Sequence, residues 1–216
     1  MPEPLAAPNP TANPGPTANP GAILRRVRAQ RGWTLAEVGR RSGLPVSTLS
    51  KVENGKVTLT YDKLARMSDA LEIDIATLFA ADHSPQEMRS PIGGRRCITR
   101  ANEGQKVETH QYSHLYPAME LLNKHFTPII AEVKARTMAE FGDFIRHPGE
   151  EYGYVIEGKI IFQTDLYSPT ILNAGDSIYF DSSMGHAYLA GSSDRCMVLS
   201  ICSAHRMQPV AEPVGD

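Results

Sequence analysis

Apolar positions recur along the chain with two different periods. From residue 21 to about residue 80 the spacing is helical. Ile23, Leu24 and Val27 share one face, with Arg25, Arg26 and Arg28 between them, which predicts an amphipathic helix. Thr34 stands where an N-cap belongs and Glu37 follows three residues later, the order of a capping box. Leu35 and Val38 anchor this second helix, and Gly43 should end it. Pro45 opens a third helix with Leu49 and Val52 on its inner face, closed by Asn54-Gly55. Two further helical patterns lie around Tyr61–Leu71 and Ile75–Phe79.

Over residues 96–205 the pattern shortens to that of strands. PIIAEV, YGYVIEGKIIF, PTIL, SIYF and RCMVLSIC are β-branched or aromatic runs set between Gly, Pro, Asn and Asp turns. So many short strands predict an all-β sandwich or barrel. Segment 110–126 fits neither period cleanly and has room for a short helix. Residues 81–95 (DHSPQEMRSPIGGRR) read as a linker. Residues 1–20 hold seven prolines, with TANPG at 11–15 and again at 17–21, a flexible tail that cannot form a regular hydrogen-bonded element. Residues 206–216 read as a frayed C-terminal tail.

Charge sharpens this division. The chain has 216 residues and a net charge of −2, yet residues 21–66 carry ten Lys/Arg against three Asp/Glu. Residues 67–216 carry twelve against twenty. A basic helical unit beside an acidic β-unit points to different partners for each, the first of them nucleic acid. No run approaches the ~18 apolar residues of a membrane span. Cys97, Cys196 and Cys202 make no disulfide framework, and Cys196 and Cys202 share a strand parity that suits core packing. The expectation is a cytoplasmic protein without a membrane partner. No P-loop or dinucleotide glycine fingerprint is present, so no nucleotide cofactor is expected.

The segment TLAEVGRRSGLPVSTLSKVENGK joins two short helices through a glycine turn, the geometry that lays a second helix in the major groove. Val46, Ser47, Thr48, Ser50 and Lys51 occupy early and outer positions of that helix and suit base edges. Thr34, Arg40, Arg41, Lys56 and the Asn54 backbone suit the phosphates. Trp33 is assigned to the core. The STLSKVENGK string resembles the lambda-repressor/Cro-like (XRE) DNA-binding family over residues 21–80. That resemblance implies a homodimer on a double-stranded inverted-repeat operator, and a structural pair between Arg28 and Glu53.

A second constellation lies on the strands. His147 and Glu151 are four apart and His186 follows thirty-five residues later. Two imidazoles and a carboxylate can hold iron, zinc or manganese with open positions. Tyr188 shares strand parity with His186 and is assigned to the same pocket. The segments around these residues resemble the two motifs of cupins, with Glu151, Gly158, Gly175 and His186 at matching positions. The histidine two residues before His147 in that pattern is Ile145 here. Three of four usual ligands remain, and cupins include both metal proteins and metal-free binders of organic ligands.

The combination resembles bacterial XRE–cupin regulators, which implies a transcriptional regulator, by family a repressor, and not an enzyme. Its cupin domain would sense a small-molecule effector. The alternative is a mononuclear iron enzyme. A hydroxypropylphosphonate epoxidase also joins a helix-turn-helix to a cupin, with a histidine, a glutamate four later and a distant histidine.

Overall fold

Among the described residues, helices come first and strands, with one short helix, follow. The structure, a computed structural model, describes residues 20–79, 94–101 and 103–203. The proline-rich tail up to residue 19, linker residues 80–93 and the C-terminal tail lie outside these. The helices are α1 (Pro20–Gln30), α2 (Leu35–Ser42), α3 (Val46–Glu53) and α4 (Tyr61–Ala70), with a 3-10 turn at Ile75–Phe79.

Their ends follow the capping residues. Thr34 is extended and its Oγ1 accepts the Glu37 N–H. The Glu37 carboxylate turns to Arg40 and Arg41 instead of reaching back, so only half of the expected box forms. Gly43 takes φ +66° to end α2. Arg66 of α4 then donates to the Ser42 and Gly43 carbonyls at 3.0 and 2.8 Å, oxygens a helix end leaves over. Pro45 is the N-cap of α3 and not its first residue; its carbonyl accepts from Thr48 and Leu49. Arg28 holds Glu53 through two hydrogen bonds of 2.6 and 2.9 Å and the Trp33 carbonyl through a third of 2.8 Å. This pair ties α1 to the end of α3. Trp33 is only half-buried: it packs on the core and takes the Arg41 guanidinium 4.0 Å from its ring centre.

The strands are β1 (Gln105–Glu108), β2 (Tyr112–Tyr116), β3 (Phe126–Val133), β4 (Glu150–Glu157), β5 (Lys159–Thr164), β6 (Thr170–Asn173), β7 (Ser177–Asp181), β8 (His186–Ala190) and β9 (Met197–Ser203). A short helix, α5 (Met138–Phe141), follows β3 and not the 110–126 segment, which holds β2 instead. Tyr112, His114 and Tyr116 of β2 face inward, and a histidine at the central core position hides the strand period from a hydropathy reading. All pairings are antiparallel. One sheet has the order β1-β2-β3-β9-β4-β7 and the other β6-β5-β8.

Among the described residues, two hydrophobic clusters hold the fold together. One fills the space between the two sheets, around Phe162, Phe180, Tyr188 and Val198. The other starts among Leu24, Leu49 and Leu64 of the helices and runs on to Tyr116, Ile129 and Cys202 of the large sheet. The rings of Tyr61 and Tyr116 stack at 6.3 Å within it. The helical and β-units therefore share apolar core.

Candidate functional site

The first candidate site is the helix-turn-helix of α2 and α3. Leu49 and Val52 of α3 are buried, while Val46, Ser47 and Lys51 are exposed and Thr48 and Ser50 half-buried. Thr34, Arg40, Arg41, Asn54 and Lys56 are exposed around the same motif. Glu37 pre-arranges both arginines: it accepts from Arg40 at 2.7 Å and from Arg41 at 2.6 Å. Those hydrogen bonds lower the Glu37 carboxyl to about 2, so it stays ionised beside them.

A second site lies between the inner face of the large sheet and β8 of the small one. β4 and β9 pair so that Glu151 stands directly opposite Cys202, with both side chains inward. Ile145 forms an isolated bridge with His186, which sets His186 and the 145–147 segment side by side. His147, Glu151 and His186 are thereby brought together in the interior, all nearly fully buried. The Glu151 carboxylate is fixed from one side. Its Oε1 accepts from Tyr188 Oη at 2.9 Å and from Ser200 Oγ at 2.8 Å. Gly153 leaves room for that Tyr188 hydroxyl, since a Cβ there would overlap it.

Glu151 Oε2 faces the other way, 3.1 Å from His147 Nε2, 3.7 Å from His186 Nε2 and 3.6 Å from Cys202 Sγ. Burial alone would raise the Glu151 carboxyl. Hydrogen bonds from His147 and Ser200 pull the other way, and the group is held at about 2. Burial lowers His186, against the pull of Glu151. The neutral ring gives its Nδ1–H to the Met184 carbonyl at 2.9 Å, which turns the Nε2 lone pair toward the carboxylate. Two acceptor atoms thus face each other across 3.7 Å, and His147 Nδ1 is buried without a partner. This donor set fits a cation. His147, Glu151 and Cys202 each offer an atom within 4.8 Å of the others. The cavity is about 40 Å³ and is also lined by Tyr112, His114 and Tyr61.

Tyr188 is where parity predicts. Cys202 and His114 were not legible as site residues, because only the strand register brings them to Glu151. Tyr61 enters from the helical domain, its ring edge-on to His147 at 5.0 Å. Tyr152, Tyr154 and Tyr179 point outward and are exposed. Arg146 pairs with Asp165 outside the cavity.

The fold and the two sites define a class: a helix-turn-helix transcriptional regulator with a C-terminal cupin domain. The Helix-turn-helix family HTH_3 matches residues 24–78 and the Cupin domain family Cupin_2 matches residues 136–202. The HTH-type transcriptional regulator PuuR of Escherichia coli (strain K12) is 22% identical over 177 residues, 82% of this chain and 90% of that protein. The crystal structure of an HTH_3 family transcriptional regulator from Vibrio cholerae has the same fold, with a TM-score of 0.58 and 18% identity. That alignment covers 88% of this chain and 97% of the other. A hydroxypropylphosphonic acid epoxidase from S. wedmorenis aligns at a TM-score of 0.44 and 19% identity over 86% and 98% of the two chains, too distant to bear on function. No helix among the described residues is long and apolar enough to cross a membrane.

Proposed function

We propose that this chain is a sequence-specific DNA-binding repressor that works as a cytoplasmic homodimer on an inverted repeat. The observation that carries this reading is the exposed outer face of α3 between phosphate-reaching cations. Ser47 and Lys51 would read base edges, with Val46, Thr48 and Ser50 beside them. Arg40, Arg41, Lys56, Thr34 and the Asn54 backbone would hold the phosphates. The cupin domain is the sensor. His147, Glu151 and His186 would hold a divalent metal there and leave open coordination positions, the chemistry of the group being charge neutralisation of the buried carboxylate and orientation of a further ligand. Tyr188 would keep Glu151 aimed at it. A regulator is favoured over an enzyme because the basic reading surface has no use in a stand-alone catalyst.

The test is selection of genomic DNA fragments by the full-length protein at one near-physiological salt concentration, since phosphate contacts alone give salt-dependent affinity. One enriched inverted repeat is expected, with its preference relaxed by Ser47→Ala and Lys51→Ala. Absence of enrichment both with and without added divalent metal would overturn the assignment.

A further inference from the structure

The geometry points to Cys202 as a metal ligand, and so to an ion of the zinc type, bound through nitrogen, oxygen and sulfur together, as the species this cavity takes. The inference rests on the reading of His147, Glu151 and His186 as metal donors and extends it to the class of ion.

The cupin pattern places a histidine where this chain has Ile145, and Ile145 lines the cavity with an apolar side chain. The donor set is therefore one short on that wall. Cys202 supplies a donor from another wall. It is the cross-strand partner of Glu151 in the β4–β9 pairing, so the backbone holds the two side chains on one face as neighbours. Its Sγ is 3.6 Å from Glu151 Oε2, the oxygen that Tyr188 and Ser200 leave unclaimed. His147 Nε2 and His186 Nε2 converge on that same oxygen. A nitrogen of His147, a carboxylate oxygen of Glu151 and the Cys202 sulfur thus lie within 4.8 Å of one another, with His186 Nε2 3.7 Å from Glu151 Oε2.

Cavity size selects the kind of ligand. A cavity of about 40 Å³ is far below the ~300–1,000 Å³ that organic ligands occupy. It has room for an ion with a water. Donor chemistry selects the ion. A thiolate beside two imidazoles favours zinc over magnesium, calcium or manganese, which prefer oxygen alone. Metal binding displaces the thiol proton of Cys202 to solvent, while the imidazoles bind as neutral rings through Nε2 and keep their one ring proton on Nδ1.

The experiment uses the full-length protein freed of metal by a chelator and titrated anaerobically with Co²⁺. Bound cobalt is counted and the absorption spectrum recorded. One Co²⁺ per chain is expected, with an intense near-ultraviolet thiolate-to-cobalt charge-transfer band and displacement by Zn²⁺. Cys202→Ser should remove the band and weaken Co²⁺ binding at least about tenfold, the low end of what loss of even an outer partner costs. A Cys97→Ser/Cys196→Ser protein should keep the band, and it decides the question should Cys202→Ser fail to fold. One bound Co²⁺ without the band, or a band that survives Cys202→Ser or disappears with the other two cysteines, would overturn the role of Cys202 and leave the three-donor site standing. No bound Co²⁺ would overturn both.

Discussion

Replacing Arg28 by methionine should destabilise the protein more than any other single change in its helix-turn-helix. The guanidinium makes two hydrogen bonds to Glu53 and one to the Trp33 carbonyl, and the Glu53 side chain is only 7% exposed. Methionine keeps the aliphatic packing but strands a buried carboxylate. Removing one partner of such a pair costs about 3–5 kcal/mol, against a total stability of roughly 5–15 kcal/mol for a folded domain. Because one apolar core runs from the helices into the large sheet, the described residues should melt together. At about 2–4 °C per kcal/mol for a unit of that size, the midpoint should fall by roughly 6–20 °C. Glu53→Leu in the same chain should recover most of the loss, since a well-packed apolar replacement of a buried pair is close to neutral. The assay is urea and thermal unfolding of the wild type, both single variants and the double. A loss below about 1 kcal/mol for Arg28→Met, the range of exposed ion pairs, would refute the reasoning.

Three further outcomes follow from the β-unit and its contact with the helices. His114 is buried and its pKa is lowered from 6.5 to about 4 by desolvation. The unfolded chain takes up that proton first, so stability is complete above pH 6.5 and is lost as pH falls toward 4, by up to roughly 3 kcal/mol. Urea unfolding at pH 7.5 and 4.5 checks this: His114→Gln should flatten the acid side of the profile, and an unchanged slope would count against it. Gly158 turns the chain from β4 to β5 at φ +77°, and a Cβ there would collide with the Arg195 carbonyl. Gly158→Ala should cost more than about 1 kcal/mol in thermal unfolding. Tyr61→Phe keeps the ring but removes the hydroxyl of a buried residue, so stability should drop by only about 1 kcal/mol. The metal-induced change in operator affinity, read by fluorescence anisotropy, should shrink; an unaltered change would remove Tyr61 from the coupling.

Parts of this molecule were legible because local chemistry decides them. Thr34 and Gly43 bound α2 whatever surrounds it, and the alternation in PIIAEV and RCMVLSIC survives intact in β3 and β9. β8 gives no alternation because all five of its residues are buried, with α5 packed on it. The β2 strand was hidden by the polar residue at its core, His114. The triad spacing was readable along the chain, whereas Cys202 and His114 reach Glu151 only through the register of β9 and β2 on their neighbours, which no spacing encodes. Tyr152, Tyr154 and Tyr179 could not be assigned a side because aromatic residues suit either face of a sheet. The pairing of Glu37 with Arg40 and Arg41 was open to sequence at spacings of three and four, but the capping-box order suggested a different use for the same carboxylate.

Tyr61 is the residue in which the two units meet. It is the first residue of α4, yet its ring lies edge-on to His147 and stacks on Tyr116. One turn and a half further along the same helix, Arg66 holds the carbonyls at the end of α2, next to the turn that aims α3. A change in how His147 sits therefore meets α4 before anything else of the helical unit, and α4 holds the joint of the DNA-reading motif. Such a contact is a route and not yet a coupling energy. An ion bound at the proposed site would shift DNA affinity only by the factor by which it prefers one arrangement of these elements over another. Linkage would then require the reverse effect at the same magnitude: DNA bound by α3 would change the affinity of the buried site for that ion by the same factor.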